Sequence, residues 1–573
     1  MKLRILLCST LVCSLALVAG GATNGAASTA ADSGIPHLQK HGTATQLIVD
    51  GKPFLVLAGE LHNNSATSLD YMKTVWTNLV QANFNTVLVG VSWDQIEPQE
   101  GKFDFQALDG VIKGARDHNL RLALLWFGSW KNSLSSYAPD WVKRDYERFP
   151  RAQFEGYKSI EELSTLSESN RDADAKAFAA LMRHVKQVDG TKHTVIMIQV
   201  ENEVGMHTVI CDHSRAAQTA LAGQVPKELM DYLVLHKDTL IPEFRQVWAA
   251  NGFKTTGTWE EVFGKGDGKD GIFMAWNYAR YMGRVAEAGK AEYNIPMYAN
   301  AALYSPGRVP EFTPSHGRPW DLVMDIWRAG GPAIDVISPD IYGGDFATFC
   351  AKYTQSGNPL LIPETGGGAA GAAKALFAFG RYDAICFSPF GIDRMSSSDP
   401  LVPVYGLLSQ LAPTILEHQG NGTMSAVMMN PSDPAQKISV GNYTLTVAPT
   451  RARGASAAAP AAPSGRGTAP ARGATAAAPA AATPAAATAT PLAALFIANG
   501  PDEYFILGNG LTITFASNTP GAPLAGMGTV EEGSFVKGRW VPGRWLAGDD
   551  TEQGDYLYLR SMGILRVTVY HYR

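Results

Sequence analysis

Residues Thr194–Gly205 read TVIMIQVENEVG, and this stretch decides the fold. A mostly apolar, β-branched run from Val195 to Val200 is followed at once by Glu201, Asn202 and Glu203. A buried strand that delivers Asn and Glu at its C-terminal end is typical of a (β/α) barrel, because barrel active sites lie at the carboxyl ends of the strands. The stretch therefore predicts a barrel and raises the question of a partner carboxylate on another strand.

The chain around this stretch alternates between strand-like and helix-like runs, which predicts a parallel sheet. Strands are predicted at Phe54–Ala58, Thr86–Val91, Arg121–Trp126, Thr194–Val200, Pro296–Ala299, Val336–Ile337, Pro359–Ile362 and Ala384–Phe387. Helical spacing of apolar residues is found at Asp70–Gln81, Phe105–His118, Ala175–Val188, Lys227–Leu235, Pro242–Asn251, Met274–Ala288 and Val404–Leu411. Eight such units predict an α/β fold, a (β/α)8 TIM barrel over residues 32–419.

From residue 420 to residue 573 the pattern changes to short alternating or aromatic runs separated by Gly, Pro, Asp and Asn. Such a pattern predicts a small antiparallel β domain. It is interrupted over residues 450–491 by a segment of almost only Ala, Pro, Thr, Gly and Arg, which we expect to be a disordered surface insertion. Trp540 and Trp545 are expected to pack against the barrel, although a sugar-binding role for the domain stays open.

The first 31 residues predict a secretory signal peptide, because Lys2 and Arg4 precede an apolar run that ends in small residues. Removal of this signal would leave no membrane span, and the protein is expected in the periplasm or outside the cell. Three cysteines then remain, too few for a disulfide framework.

A net charge of −5 provides no basic surface, so nucleic acid is not an expected partner. Cys211 and His213 stand close together, but two potential ligands without a second pair indicate a loop rather than a metal site. Neither a metal nor a cofactor is expected, and the oligomeric state stays undetermined.

Two carboxylates are predicted at the same end of the barrel. Glu203 ends the fourth strand and Glu364 ends the seventh, so the two should face each other across the mouth. A pair of carboxyl groups about 5–5.5 Å apart is the equipment of a retaining glycoside hydrolase, in which one group is the acid/base and the other the nucleophile. The alternative for each, a carboxylate in a turn or an ion pair, becomes less plausible because both occupy strand ends.

The motifs resemble those of glycoside hydrolase family 35, the β-galactosidases. QVENEVG is similar to that family's IQVENEYG, VSWDQIEPQEGKFDF at Val91–Phe105 to its PWNxHEPxxGxFDF, and GELHN at Gly59–Asn63 to its GSxHY. The resemblance covers about residues 51–419. It is closest to a bacterial branch that carries WFGSWKN, SPDIY and FSPFGID before a short β domain, some of whose members remove galactose from xyloglucan side chains.

The resemblance implies Glu203 as acid/base, Glu364 as nucleophile and Asn202 as a contact to the 2-hydroxyl of the sugar. The chain departs from the family in its IPETGG context of Glu364, in Gly90, and in WKN where the family has CAEW. Galactose contacts therefore cannot be copied from the family.

Further rim residues are predicted from their places beyond strand ends. Trp130 and Asn132 would supply a stacking face and an amide beyond the third strand, although Trp130 could equally pack beneath the loop. Tyr342 would hydrogen-bond the nucleophile. Glu60 and His62 would contact sugar hydroxyls, and Asn300 is a weaker candidate for the rim.

Together these features predict a retaining exo-β-galactosidase whose partner is a carbohydrate, from plant material such as xyloglucan. Two alternatives stay open. The same chemistry could serve a glucoside, mannoside or arabinopyranoside, or the protein could bind carbohydrate without catalysis.

Overall fold

The computed structural model describes residues 34–304, 315–343, 345–450 and 490–573. From Gly34 onward these residues belong to one compact unit. The predicted signal peptide lies outside the described residues, and so does nearly all of the predicted insertion at 450–491. Within the described part, no helix is both long and apolar enough to cross a membrane.

The first 389 residues contain thirteen strands in the described part. They are β1 (His37–His41), β2 (Ala44–Val49), β3 (Lys52–Phe54), β4 (Val56–Glu60), β5 (Thr86–Ser92), β6 (Arg121–Lys131), β7 (Arg151–Gln153), β8 (Ser159–Leu163), β9 (Val195–Asn202), β10 (Met297–Ala302), β11 (Val336–Asp340), β12 (Leu361–Thr365) and β13 (Cys386–Pro389).

Eight of these strands form the predicted barrel. Their order around the sheet is β11-β10-β9-β6-β5-β4-β13-β12, and every neighbouring pair is parallel. A parallel bridge between Ile341 and Thr365 joins the two ends. All eight predicted strands are present, so the (β/α)8 architecture is confirmed.

The helices pack around the outside of the barrel strands. They are α1 (Leu69–Gln81), α2 (Trp93–Ile96), α3 (Gln106–Asp117), α4 (Asp140–Arg144), α5 (Glu168–Asp189), α6 (Arg215–Ala222), α7 (Lys227–Leu235), α8 (Pro242–Ala250), α9 (Trp259–Phe263), α10 (Asp267–Glu292), α11 (Met324–Gly330), α12 (Phe346–Tyr353), α13 (Gly368–Tyr382) and α14 (Leu401–His418). The predicted helices are recovered, and three are much longer than predicted, namely α5, α10 and α14.

The interior of the barrel is filled by side chains. A three-stranded antiparallel sheet that the sequence pattern did not reveal closes one end. Leu47 and Val49 of β2 belong to the same buried cluster as Val56, Leu125 and Ile196 of the barrel strands. The antiparallel β1–β2–β3 sheet therefore plugs one end. All eight residues of β9 are buried, so the strand that ends in Asn202 is held rigidly.

The predicted antiparallel β region follows α14. Its strands are β14 (Met424–Met429), β15 (Gln436–Val440), β16 (Tyr443–Pro449), β17 (Leu492–Ala498), β18 (Glu503–Gly508), β19 (Leu511–Ser517), β20 (Leu524–Val536), β21 (Arg539–Trp545), β22 (Leu557–Leu559) and β23 (Gly563–Tyr572). They form two sheets, β14-β17-β18-β23-β20-β21 and β15-β16-β19-β22, with a shared apolar core.

The outer face of the larger sheet packs on the last two barrel helices. Phe505, Phe535 and Trp540 form a triangle of ring contacts at 5.0–5.5 Å, and the backbone N–H of Phe535 donates to Gln410 of α14. The expectation that Trp540 packs toward the barrel is thus confirmed, whereas Trp545 is 58% exposed.

The close contact between α13 and the larger sheet predicts that a larger side chain at this contact lowers stability. A Cβ added to Gly380 would lie 2.8 Å from the Cβ of Ala426 and 2.9 Å from Leu495. We expect Gly380→Val to lower the free energy of unfolding by about 1–3 kcal/mol through overpacking, measured by thermal or urea denaturation. Gly500→Val is the matched control, since no heavy atom lies within 4 Å of its added Cβ. Equal stability of the two variants would contradict this packing.

Candidate active site

The polar side chains at the carboxyl ends of the strands converge on one cluster of acids. One carboxylate oxygen each from Glu203, Asp340 and Glu364 lies within 4.8 Å of the others, and all three residues are buried. The predicted pairing of Glu203 with Glu364 is therefore present in the geometry. An oxygen–oxygen approach within 4.8 Å agrees with the carboxyl separation of about 5–5.5 Å in retaining glycoside hydrolases better than with the roughly 6.5–9.5 Å of inverting ones.

Glu364 is surrounded by hydrogen-bond donors. Its Oε1 accepts from Asn202 Nδ2 at 3.2 Å and from Asn300 Nδ2 at 3.4 Å, and its Oε2 accepts from the Tyr342 hydroxyl at 2.9 Å. The predicted hydrogen bond from Tyr342 is thus confirmed, and the ring itself is 51% exposed. Three donors stabilise a negative charge at this position, as a carboxylate nucleophile requires.

Glu203 lies in a different environment. Asn132 Nδ2 donates to its Oε2, and burial followed by the charge of Glu364 raises the pKa of the Glu203 carboxyl. A raised pKa favours the protonated carboxyl, which is the form that a general acid needs. The two glutamates therefore differ in the way that the two roles require.

The backbone around Asn202 is held in an unusual conformation. Glu201 and Glu203 have φ values of +58° and +43°, in the left-handed region that non-glycine residues rarely adopt. The Glu201 carboxylate accepts the backbone N–H groups of Ser129 and Trp130 at 3.0 and 2.7 Å, so Glu201 is a supporting residue.

A second buried acid lies beside Glu201. Asp174 accepts hydrogen bonds from the Trp126 indole at 2.8 Å and the Ser129 hydroxyl at 2.6 Å. Asp174 and Glu201 both accept the Ser129 backbone N–H, at 3.2 and 3.0 Å, and burial raises the pKa of both. Gly128 passes directly over the pair, since an added Cβ would lie 2.6 Å from Glu201 Oε1. The buried carboxyls of Asp174 and Glu201 therefore connect β6 to β9 immediately before Asn202 and Glu203.

Sequence reasoning missed Lys131, although the WKN motif contains it. Its Nζ donates to Asn202 Oδ1 at 2.8 Å, which orients the Asn202 amide so that Nδ2 faces Glu364. Asn300 is more central than predicted. Its Oδ1 accepts the Glu203 backbone N–H at 2.9 Å, and its Nδ2 donates to both Asp340 and Glu364.

The prediction that Trp130 forms a sugar-stacking face is wrong. Its side chain has no exposed surface, and its ring lies edge-on to Tyr278 and Tyr281 at centroid distances of 5.1 and 4.5 Å. Side chains alternate along a strand, so Trp130 points away from the mouth while Lys131 points into it. Phe390 is half-buried, its ring centroid lies 5.0 Å from that of His62, and its backbone N–H donates to the carbonyl of Thr365, next to Glu364.

Glu60 and His62 differ in their surroundings. Glu60 is fully buried, both of its carboxyl oxygens find no hydrogen-bond partner among the described residues, and burial with the charge of Glu364 raises its pKa. His62 Nδ1 instead pairs with Asp393 at 2.7 Å, and this carboxylate also accepts from Ser65 and Tyr71. His62 therefore joins two loops, and its contact with a sugar hydroxyl stays a prediction.

Arg318 and Glu162 form a second layer behind Glu203. Arg318 packs against Gly205, its charge favours the ionised form of Glu203, and its own pKa is lowered by burial. Glu162 accepts the His207 backbone N–H at 2.9 Å, and burial raises its pKa to about 7. Nothing in the local sequence distinguishes either residue from an ordinary surface charge.

Comparison with known proteins agrees with this geometry. Residues 65–263 match the glycoside hydrolase 42 family model, described as Beta-galactosidase, and residues 401–557 match a model described as a domain of unknown function, DUF5597. The chain is 26% identical over 174 residues to the beta-galactosidase of Xanthomonas manihotis, covering 28% of this chain and 26% of that protein.

Over residues 65–263 the chain is similar to proteins described as Beta-galactosidase. The chain spans about a quarter of the length of that curated relative. The matched family model is number 42, whereas the motifs resemble family 35, and the two share the β-galactosidase description. The matched segment includes Asn202 and Glu203 and ends before Glu364.

Solved structures also match the chain at low similarity. The beta-galactosidase from Bacillus circulans sp. alkalophilus has a TM-score of 0.44 at 16% identity, covering 63% of this chain and 57% of that one. The catalytic domain of beta-amylase from Paenibacillus polymyxa has a TM-score of 0.44 at 12% identity, covering 63% of this chain and 98% of that one.

The buried Glu162 predicts a pH dependence of stability. Its pKa rises from 4.5 to about 7 on folding, so folding favours the protonated carboxyl. This contribution of roughly 3 kcal/mol is complete below pH 4.5 and is lost as the pH rises through 7. In Glu162→Gln, the fall in unfolding free energy over this interval should be smaller than in wild type by about that amount, measured by urea titration.

The neighbouring Glu161→Gln is the control, because Glu161 is exposed and its contact is an ion pair with Arg151 at 3.4 Å. It should reproduce the wild-type pH dependence. A Glu162→Gln variant with the wild-type slope would contradict the burial argument.

Proposed function

We propose that the protein is a retaining exo-glycosidase that removes terminal non-reducing β-D-galactosyl residues from plant oligosaccharides such as xyloglucan fragments. The observation that carries the proposal is the approach of Glu203 and Glu364 within 4.8 Å at the mouth of the barrel, where burial raises the pKa of Glu203 and three donors surround Glu364. The β-galactosidase family match over residues 65–263 supports the substrate class.

The reaction follows from the two environments. An oxygen of Glu364 attacks the anomeric carbon while Glu203 gives its proton to the departing glycosidic oxygen, leaving a glycosyl ester on Glu364. Glu203, now a carboxylate, then takes a proton from water as the water oxygen displaces Glu364. Asn202, held by Lys131, is placed to hydrogen-bond the 2-hydroxyl, where contacts strengthen in the transition state.

The location and the biological substrate are part of the same proposal. The basic and apolar N-terminal segment supports export to the periplasm or the cell exterior. The similarity of the SPDIY and FSPFGID motifs to xyloglucan-acting proteins supports a plant oligosaccharide as substrate.

The roles of the two glutamates predict distinct kinetic phenotypes. Glu364→Gln should abolish turnover of an aryl β-galactoside. Glu203→Gln should reduce kcat by about 10²–10⁴-fold, and by less for aryl leaving groups that depart without a proton. Azide should rescue Glu364→Gly with inversion to an α-azide and Glu203→Gly with retention to a β-azide. The exposed Glu147→Gln is the control and should behave as wild type.

A non-catalytic carbohydrate-binding protein would show no turnover even in the wild type. Retained turnover in both active-site variants would place the chemistry elsewhere. A panel of aryl galactosides, glucosides, mannosides and arabinopyranosides then identifies the preferred sugar.

The unpartnered carboxyl of Glu60 predicts a sugar contact. A buried polar group without a partner costs about 1–3 kcal/mol, which a substrate hydroxyl can recover. Glu60→Gln should therefore lower kcat/KM for galactosides by about 10–100-fold. In assays with galactosides that each lack one hydroxyl group, the loss of one particular hydroxyl should lower kcat/KM of wild type much more than kcat/KM of Glu60→Gln. Equal losses in both proteins at every position would contradict the contact.

A further inference from the structure

Asp340 lies at the mouth of the barrel without a role in the two-carboxylate mechanism. It ends β11 and is 3% exposed. Its Oδ2 accepts from Asn300 Nδ2 at 2.8 Å, whereas its buried Oδ1 receives no N–H or O–H donor from the described residues. An oxygen that is buried and unsatisfied in this way is costly unless a proton lies on it or next to it.

The neighbours of Asp340 are two other carboxyl groups. One oxygen of Asp340 lies within 4.8 Å of one oxygen each of Glu203 and Glu364. Two neighbouring carboxyl groups can hydrogen-bond to each other only if one of them carries a proton, because two carboxylates are acceptors only. Two ionised carboxylates at this distance would also repel each other strongly.

The charges around the cluster indicate which acid carries the proton. Glu364 already accepts hydrogen bonds from three neutral donors, and the Lys131 ammonium bonds to Asn202 rather than to Asp340. Burial, with the charges of Glu364, Glu203 and Glu60, raises the pKa of Asp340 well above its ordinary value, while the charges of Lys131 and Arg318 favour the ionised form of Glu203. The proton therefore belongs to the pair formed by Glu203 and Asp340.

We propose that Asp340 and Glu203 share one proton and that Asp340 is the positioning residue that retains this proton on the pair as the pH rises. The inference rests on the assignment of Glu203 as acid/base and deepens it. Asp340 touches Glu203 rather than the substrate, so its effect on catalysis is through the acid/base.

The charges of the reaction balance with this arrangement. Before glycosylation the charges lie on Glu364 and on the singly protonated pair. The C–O bond to the leaving group then breaks, its oxygen takes the shared proton through Glu203, and the new bond from Glu364 to the anomeric carbon removes the charge of Glu364. The pair gains that charge, so the cluster carries the same total, and water returns the proton during hydrolysis of the ester.

The decisive variant is Asp340→Asn, which retains the shape and an N–H donor toward Glu203 but removes one negative charge. Without the neighbouring charge, Glu203 should lose its proton more easily. The alkaline limb of the kcat/KM pH profile should move to lower pH by about one unit or more. Asp340→Ser, which also lacks the charge, should move it in the same direction and serves if the Asn variant folds poorly.

Asp325→Asn is the matched control. Asp325 is a buried acid whose pKa is likewise raised by burial, but it lies in α11 and accepts the Ile241 N–H at 2.7 Å, outside the cluster. The alkaline limb of the kcat/KM pH profile of Asp325→Asn should coincide with that of wild type. A merely structural role of Asp340 would lower stability or kcat without moving the limb.

Infrared difference spectra provide a readout that does not depend on turnover. Wild type at neutral pH should show a carboxylic acid C=O band from the pair that is altered in both Asp340→Asn and Glu203→Gln. The inference would be overturned if Asp340→Asn and Asp340→Ser kept the alkaline limb of the wild-type kcat/KM profile, or if the C=O band were unaltered in the variants. Loss of wild-type activity in EDTA with recovery in Mg²⁺ would also overturn it, because the three acids would then bind a cation.

The failure of this inference differs from the failure of the proposed function. If Glu203→Gln loses activity while both Asp340 variants retain the wild-type limb, only the shared proton is refuted. If Glu203→Gln retains activity, the acid/base assignment is refuted as well.

Discussion

The crowding of carboxyl groups in the barrel mouth is the constraint on which the active end depends. Glu60, Glu203, Asp340 and Glu364 are all buried there, so solvent screens their charges only weakly. The structure meets the constraint with amide donors and protons rather than with a matching set of cations. Asn202 and Asn300 donate hydrogen bonds to Glu364, while burial raises the pKa of the other three carboxyl groups.

The same constraint explains the strained backbone after β9. Left-handed conformations at Glu201 and Glu203 cost about 1–3 kcal/mol each, so the surroundings must enforce them. The hydrogen bonds of Glu201 to β6 and of Asn300 to the Glu203 N–H supply that enforcement. As a result Asn202 and Glu203 both reach the mouth, although side chains on a regular strand would point to opposite faces.

The remainder of the molecule makes this end rigid. The β1–β3 sheet fills the opposite end of the barrel, and the larger C-terminal sheet packs through Phe505, Phe535 and Leu495 onto the outer helices. Apolar burial of this extent gives the scaffold the stability that a cluster of like charges would otherwise reduce. The C-terminal region that matches a domain of unknown function thus contributes packing to the barrel.

The sequence by itself determined the eight strand–helix units, the antiparallel region and the placement of Glu203 and Glu364 at strand ends, because hydrophobic periodicity and chain order carry that information. It also indicated Asn132 and Tyr342, which follow strand ends directly. Only the tertiary structure decided that Trp130 faces the helices, that Lys131 orients Asn202, and that Asp340 lies against Glu203. These outcomes depend on side-chain direction and on contacts between distant strands, and the spacing of residues along the chain does not specify either.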